Sequence, residues 1–443
     1  MIRLNVMIEI NGENRYVGDI TGTDSTDACF AYADEYLADH NNRPISISLP
    51  LTENEFSPIQ TRRFFEGLLP EGFTRKCVAK WIRADEADYI TILSELGREC
   101  LGAIKIVNTA GTDIKSNYRL LGMDDISALA REGSSKSADI VTKSHLSLTG
   151  ASGKVGLYYD DRSKKWYQPI GDAPSTHIVK QSHVRLKKIV ANEQLCLLTA
   201  RNLGILVPES FIVRGNQVSS KVKKGISGSD NMESPDIEDI LFATKRYDRK
   251  LQGSRKTIDG LTVPFRLHQE DFAQAMSISS SDKYERNHEG YLKKAFDIIR
   301  TYSASPVEDQ LRLWDICIFN YLIGNKDNHI KNISLIYCED LKSIRLAPAY
   351  DIVSTMVYDG STENMAFSIG HEYDLNKITR NSFELEAEHI GLGKKIAMTR
   401  FDNMVSQFKE AMNNAMNDMA VDFSTVDELG DKILKRGGIR NYL

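Results

Sequence analysis

The sequence predicts an α+β protein of two lobes, a small sheet-rich lobe followed by a larger helical one, preceded by an α+β segment. Three observations predict it. Short apolar runs alternate at period two through much of the first 255 residues, the mark of half-buried strands. From about Leu267 the apolar spacing becomes helical. A polar turn, residues 324–332, interrupts the helical half and is followed by two short strand-like runs. The expected divisions are residues 1–140, 141–255 and 256–443.

The elements follow in order. Residues 4–20 alternate around Asn11-Gly12, a hairpin turn signal. Residues 31–38 read as helix, residues 45–49 as a period-two strand, and residues 60–69 and 75–81 as helices separated by Pro70-Glu71-Gly72. Strands are expected at residues 146–148, 157–159, 176–180, 211–213 and 241–244, with a helix over 190–203 stopped by Gly204. Residues 219–239 are polar and rich in Gly, Ser and Lys, a surface insertion that could contact a partner. Leu311, Trp314, Ile318 and Leu322 give residues 310–323 one buried helical face. Strands at 333–337 and 344–346 follow, then helices over 385–408 and 427–434.

Composition narrows the class. Of 443 residues, 41% are hydrophobic and 26% charged, ordinary for a globular protein, and a formal charge of −5 does not suit a chain that is itself a nucleic-acid binder. No apolar stretch reaches membrane-spanning length and no secretory leader is evident, so no membrane partner is expected. Six cysteines lack C-x-x-C spacing, which argues against zinc and fits a reducing, cytoplasmic setting.

The chemistry concentrates late in the chain. Asp327 and Asn332 stand five positions apart, and Asp351 follows 19 residues after Asn332. Phosphoryl transfer uses such a layout: a carboxylate aligns the accepting hydroxyl, and a carboxamide and a second carboxylate hold Mg²⁺ through oxygen. Lys331 is a candidate to neutralise the transferring group. His329 tempts a metal or base role, but a supporting, structural histidine that hydrogen-bonds the loop backbone explains it better. Upstream, Gly150, Gly153 and Gly156 allow close approach of backbone N–H groups to phosphates, although a glycine-rich hairpin also simply turns the chain. Lys180, at a strand end, could reach phosphates, with Glu193 as its partner; a helix N-terminal acid is an equal reading of Glu193. The residues Gly150, Ala151, Ser152, Gly153, Lys154 and Lys180 therefore form a candidate ATP site, in the order and spacing of a protein kinase.

These residues resemble the HipA family of bacterial serine/threonine kinases. The likeness rests on Gly324-Asn325-x-Asp327-x-His329-x-Lys331-Asn332, on Leu346-Ala347-Pro348-Ala349-Tyr350-Asp351, and on Arg266-Leu267-His268-Gln269-Glu270-Asp271-Phe272. Arg246-Tyr247-Asp248-Arg249, Thr176-His177-Ile178-Val179-Lys180 and Phe64-Phe65-Glu66-Gly67-Leu68-Leu69-Pro70 extend it over nearly the whole chain. The resemblance implies a bilobal, protein-kinase-like fold of HipA type, with ATP and Mg²⁺ as cofactors. It implies a toxin that phosphorylates an aminoacyl-tRNA synthetase, the glutamyl enzyme above all, and halts translation. It implies a HipB-like helix-turn-helix antitoxin as partner, with operator DNA bound mainly through that antitoxin. It places a hinge against adenine at Lys245, Arg246 and Tyr247, with Arg246 and Asp248 structural. It makes Ser147 the autophosphorylated serine of the glycine-rich loop. Ser152, where many members carry a glutamine, is a second candidate acceptor. Two other readings share the same residues: a small-molecule phosphotransferase, and a catalytically silent DNA-bound regulatory subunit.

Overall fold

The computed structural model describes residues 2–108, 115–132, 154–181, 186, 188–214, 240–254, 256–360, 362–420, 423 and 425–443. The expected glycine-rich loop through Gly153, with Ser147, Gly150, Ala151 and Ser152, lies outside them, as do the expected strand at 146–148 and the insertion at 219–239.

The first sheet has the order β3-β2-β1-β4, from Ile2–Ile10 (β1), Glu13–Gly22 (β2), Cys29–Tyr32 (β3) and Ile104–Asn108 (β4). Asn11 and Gly12, with φ of 53° and 80°, make the β1–β2 turn in the conformation whose twist matches the strands. Leu4, Val6, Ile8 and Ile10 of β1 are buried and face a cluster that includes Phe30, Phe64 and Phe65. The second sheet is antiparallel with order β5-β7-β6-β8-β10-β9. Its strands are Asn117–Leu120 (β5), Lys154–Asp160 (β6), Lys165–Ile170 (β7), His177–Gln181 (β8), Ser210–Arg214 (β9) and Ile240–Lys245 (β10). β5 precedes the expected boundary at 140 yet already belongs to this second sheet. Val155, Leu157, Val179 and Leu241 of the second sheet join the same apolar core as the first. The two sheets are therefore welded by hydrophobic burial.

The helical lobe is built around Pro306–Ile323, with Pro at its start and Gly324 (φ 69°) at its end. The expected single buried face is too narrow. Every residue from Ile316 to Ile323 is buried, because the helix runs through the centre of the lobe, whereas Leu311 is only half-buried. The helix expected over 385–408 is two helices, Arg380–His389 and Lys394–Ala420, parted at Gly391 with φ of 73°. The strand expected at 45–49 is absent. Its backbone groups are committed elsewhere: Ile45 N–H donates to the Tyr32 hydroxyl (3.0 Å) and Ile47 N–H to Glu270 (3.1 Å). Among the described residues no helix is long and apolar enough to cross a membrane, and the six cysteines are unpaired.

Glu270 makes this joint between the N-terminal segment and the helical lobe sensitive to pH. Its buried carboxylate also accepts from the hydroxyls of Ser46 and Tyr337, and among the described residues no cation pairs with it. Burial pushes the carboxyl up from its ordinary 4.5 to about 7, and the neighbouring Asp271 charge acts the same way. The folded chain thus holds a proton that the unfolded chain releases near pH 4.5. Stability present below that pH is lost as pH rises to 7, by about 3 kcal/mol in all. Glu270→Gln protein, whose amide keeps the acceptor for Ile47 and Tyr337 and donates to Ser46, is expected to lose this decline. Urea midpoints at pH 5 and pH 8 check it: the drop seen in the parent should vanish in the variant.

Candidate active site

The turn after the central helix is held in shape by its own side chains. Gly324 is left-handed and packs on Met356, whose side chain a Cβ would meet at 2.5 Å. Asn325 donates to the side chain of Asn320 (2.7 Å) and accepts the N–H of Asp327 (3.1 Å). Asn332 Nδ2 donates to the carbonyl of Asp327 (2.8 Å), closing the loop so that the two ends of the motif face one another. The Asp327 carboxylate opens to solvent and accepts the hydroxyl of Tyr284.

Asp351 arrives from the other side. Its backbone is left-handed (φ 56°), an uncommon state for a residue with a Cβ. The preceding residue, Tyr350, donates to the carbonyl of Lys331 (3.0 Å), which ties the Asp351 segment to the turn carrying Asn332. Asp351 Oδ1 lies 2.6 Å from Lys180 Nζ, and Glu193 Oε1 lies 2.7 Å from the same ammonium. Lys180 is placed by β8, opposite Lys154 of β6 and Phe242 of β10. Glu193 comes from the helix Ile189–Asn202. Burial alone would disfavour the Lys180 ammonium, but the two carboxylates outweigh it and raise its pKa. Burial likewise works against the Asp351 carboxylate, and the charges of Lys180 and Lys154 override it, holding Asp351 ionised. Glu193 is pushed up to about 6 by burial.

These groups bound a cavity open to solvent. Lys154, Lys180, Glu193 and Asp351 stand at one end, and Ile178 and Leu197 supply apolar walls. Lys245, Arg246 and Tyr247 are also among its lining residues. Lys245 N–H bonds the Glu209 carbonyl (2.8 Å), and Tyr247 donates to Gln269. Arg246 is fully engaged in a buried ion lattice. It meets Asp248 at 2.7 Å and Glu99 at 3.2 Å, and Glu99 also binds Arg249 (2.9 Å) and Arg266 (2.7 Å). The three guanidinium groups hold Glu99 ionised well below the usual carboxylate range, against its burial.

Two expected roles need correction. Lys331 does not offer its ammonium to the cavity. It is buried, with Glu71 Oε1 and Asp271 Oδ2 each at 3.2 Å, because two carboxylates compensate a charge removed from water. His329 makes no side-chain hydrogen bond to the loop backbone. Its ring packs edge-on to Tyr284, with centroids 5.0 Å apart, and Nε2 lies 3.9 Å from Asp327 Oδ1. Burial drives its pKa down to about 3, so the imidazole is neutral. Tyr284, Lys283 and Glu71 were missed by the sequence reading. They lie 43 to 260 positions from their partners, and no local spacing marks them.

The donor set suits a hard divalent cation. Asn332 Oδ1 and Asp351 Oδ2 have no hydrogen-bond partner among the described residues, and these residues contain no cluster of three or more His, Cys, Asp or Glu side chains able to enclose a metal. Two oxygen ligands with room for phosphate oxygens and water is how proteins hold Mg²⁺.

A cleft between a sheet lobe and a helical lobe, a lysine paired to a helical glutamate, and an Asp–Asn turn facing a second aspartate define a protein-kinase-like molecule. Residues 146–415 match the HipA-like C-terminal domain and residues 8–107 the HipA N-terminal domain. The chain belongs to the HipA family. It is 28% identical over 434 residues to a putative kinase, Y4mE, of Sinorhizobium fredii, covering 96% of each chain. It is 23% identical to the serine/threonine-protein kinase toxin HipA of Shewanella oneidensis over 384 residues, 83% of this chain and 80% of that one. The fold matches that of a solved complex of Shewanella oneidensis HipA, HipB and operator DNA, with TM-score 0.76 and 20% identity, over 99% of this chain and 97% of the other.

Proposed function

We propose that the protein is a toxin kinase of the HipA type, transferring the γ-phosphoryl group of ATP to a serine of a protein substrate. The observation that carries this reading is the buried Lys180 ammonium shared by Glu193 and Asp351 in a cavity that residues 245–247 also line. Lys180, kept protonated by its partners, binds the α- and β-phosphates, while hinge backbone groups and apolar walls take the base. Mg²⁺, held by Asn332 and Asp351, would neutralise charge on the β- and γ-phosphates. Asp327 aligns the serine hydroxyl and accepts its proton as the new O–P bond forms, the bond to ADP breaks and ADP departs. The neutral His329 beside Asp327 adds no charge of its own at that carboxylate.

The family likeness supports the finer assignments. The substrate is an aminoacyl-tRNA synthetase, the glutamyl enzyme first among them, in the cytoplasm. The partner is a HipB-like antitoxin that brings the complex to operator DNA. Ser147, or Ser152 in its place, is autophosphorylated. A phosphoserine there carries about −1.5 to −2 charges and competes with ATP for the same phosphate-binding groups. The test is to incubate the purified chain with Mg²⁺ and γ-labelled ATP, alone and with glutamyl-tRNA synthetase, and to map label by mass spectrometry. Label on a serine of the synthetase is expected. No transfer to any protein, with no metal-dependent nucleotide binding, would overturn the reading.

A further inference from the structure

We propose that Glu71, in the N-terminal segment, is a positioning residue that fixes the catalytic turn through Lys331 and Lys283. The inference rests on the kinase reading above. Glu71 immediately precedes the helix Gly72–Ile82, and its side chain is only 14% exposed. It reaches across to the helical lobe, with Oε2 at 2.6 Å from Lys283 Nζ and Oε1 at 3.2 Å from Lys331 Nζ.

Each lysine is adjacent to a residue of the site. Lys331 precedes Asn332, and its ammonium also meets Asp271 and the carbonyl of Gly67 (3.4 Å). Lys283 precedes Tyr284, whose hydroxyl donates to Asp327. The carbonyl of Lys283 accepts the N–H of Ile330 (3.4 Å), inside the turn itself. One carboxylate therefore pins both flanks of the Asp327–Asn332 turn. This gives a physical reason for the motif from Phe64 to Pro70, which the chemistry of transfer leaves unused. That motif delivers Glu71. It is fixed in place by Gln274, which donates to the Phe64 carbonyl (2.9 Å) and packs where Gly67 has no side chain.

Without the Glu71 charge, Lys331 would keep Asp271 while Lys283 would lose its ion pair, and repulsion between the two ammonium groups would loosen the turn. Misplacement by about 1 Å can cost on the order of 100-fold in rate. Glu71→Gln keeps shape and removes charge. It is expected to lower kcat by about 10- to 100-fold while leaving KM for ATP within about twofold. Hydrogen exchange should accelerate over residues 325–333 and not in β6, β8 or β10. Glu71→Asp, which keeps the charge, should recover part of the rate. An unchanged kcat, or exchange that rises evenly over the whole chain, would overturn the inference. If the parent protein itself transfers no phosphate, the kinase reading fails, and the exchange pattern still decides whether Glu71 holds the turn.

Discussion

Asp327→Asn protein is expected to bind Mg²⁺–ATP as the parent does and to transfer phosphate roughly 10²- to 10⁴-fold more slowly, the usual worth of a positioned general base. Asparagine keeps the size of the side chain and the acceptor for Tyr284, and removes only the carboxylate proposed to align the hydroxyl and take its proton. Asp351→Asn should fail differently. It removes a proposed cation ligand and one of the two charges that Lys180 answers, so both metal-dependent binding and transfer should fall. Titration calorimetry with and without Mg²⁺, paired with label incorporation into substrate and into the chain itself, separates the two. Undiminished incorporation by either variant would defeat the mechanism.

Glu99→Gln is expected to destabilise the fold by about 3–5 kcal/mol, the range seen when one partner of a buried ion pair is removed. Glu99 is almost wholly buried and is shared by Arg246, Arg249 and Arg266. With the charge gone, three guanidinium groups would be left with Asp248 and Glu9 as their nearest carboxylates. The hinge would feel this first, since Arg246 and Asp248 flank Tyr247. Urea denaturation with unchanged m-value would register the loss as a lower midpoint. A shift below about 1 kcal/mol would mean that the lattice contributes far less than its burial implies.

What the sequence made legible was local. Asn11-Gly12 announces its hairpin because the turn conformation demands those residues. The five-residue interval from Asp327 to Asn332 is closed by a hydrogen bond within that same interval, so spacing alone discloses it. Lys180 and Glu193, 13 positions apart, were paired on strand-then-helix order. The misses share a cause. Residues 45–49 alternate like a strand, yet their N–H groups are claimed by Tyr32 and by Glu270, more than 220 positions away. Lys331 reads as a catalytic cation until Glu71 and Asp271 are brought to it by the fold. Periodicity reports which face of an element is apolar; it is silent on which distant side chain will meet a given charge.

The shared apolar core of the two sheets has a mechanical consequence. Because the N-terminal segment is fused to the second sheet by that core, and grips the helical lobe through Glu71, Ser46 and Phe64, it braces the two lobes against one another. A body strapped along two edges cannot gape like a clamshell. Wide rotation of one half against the other would have to break those contacts first.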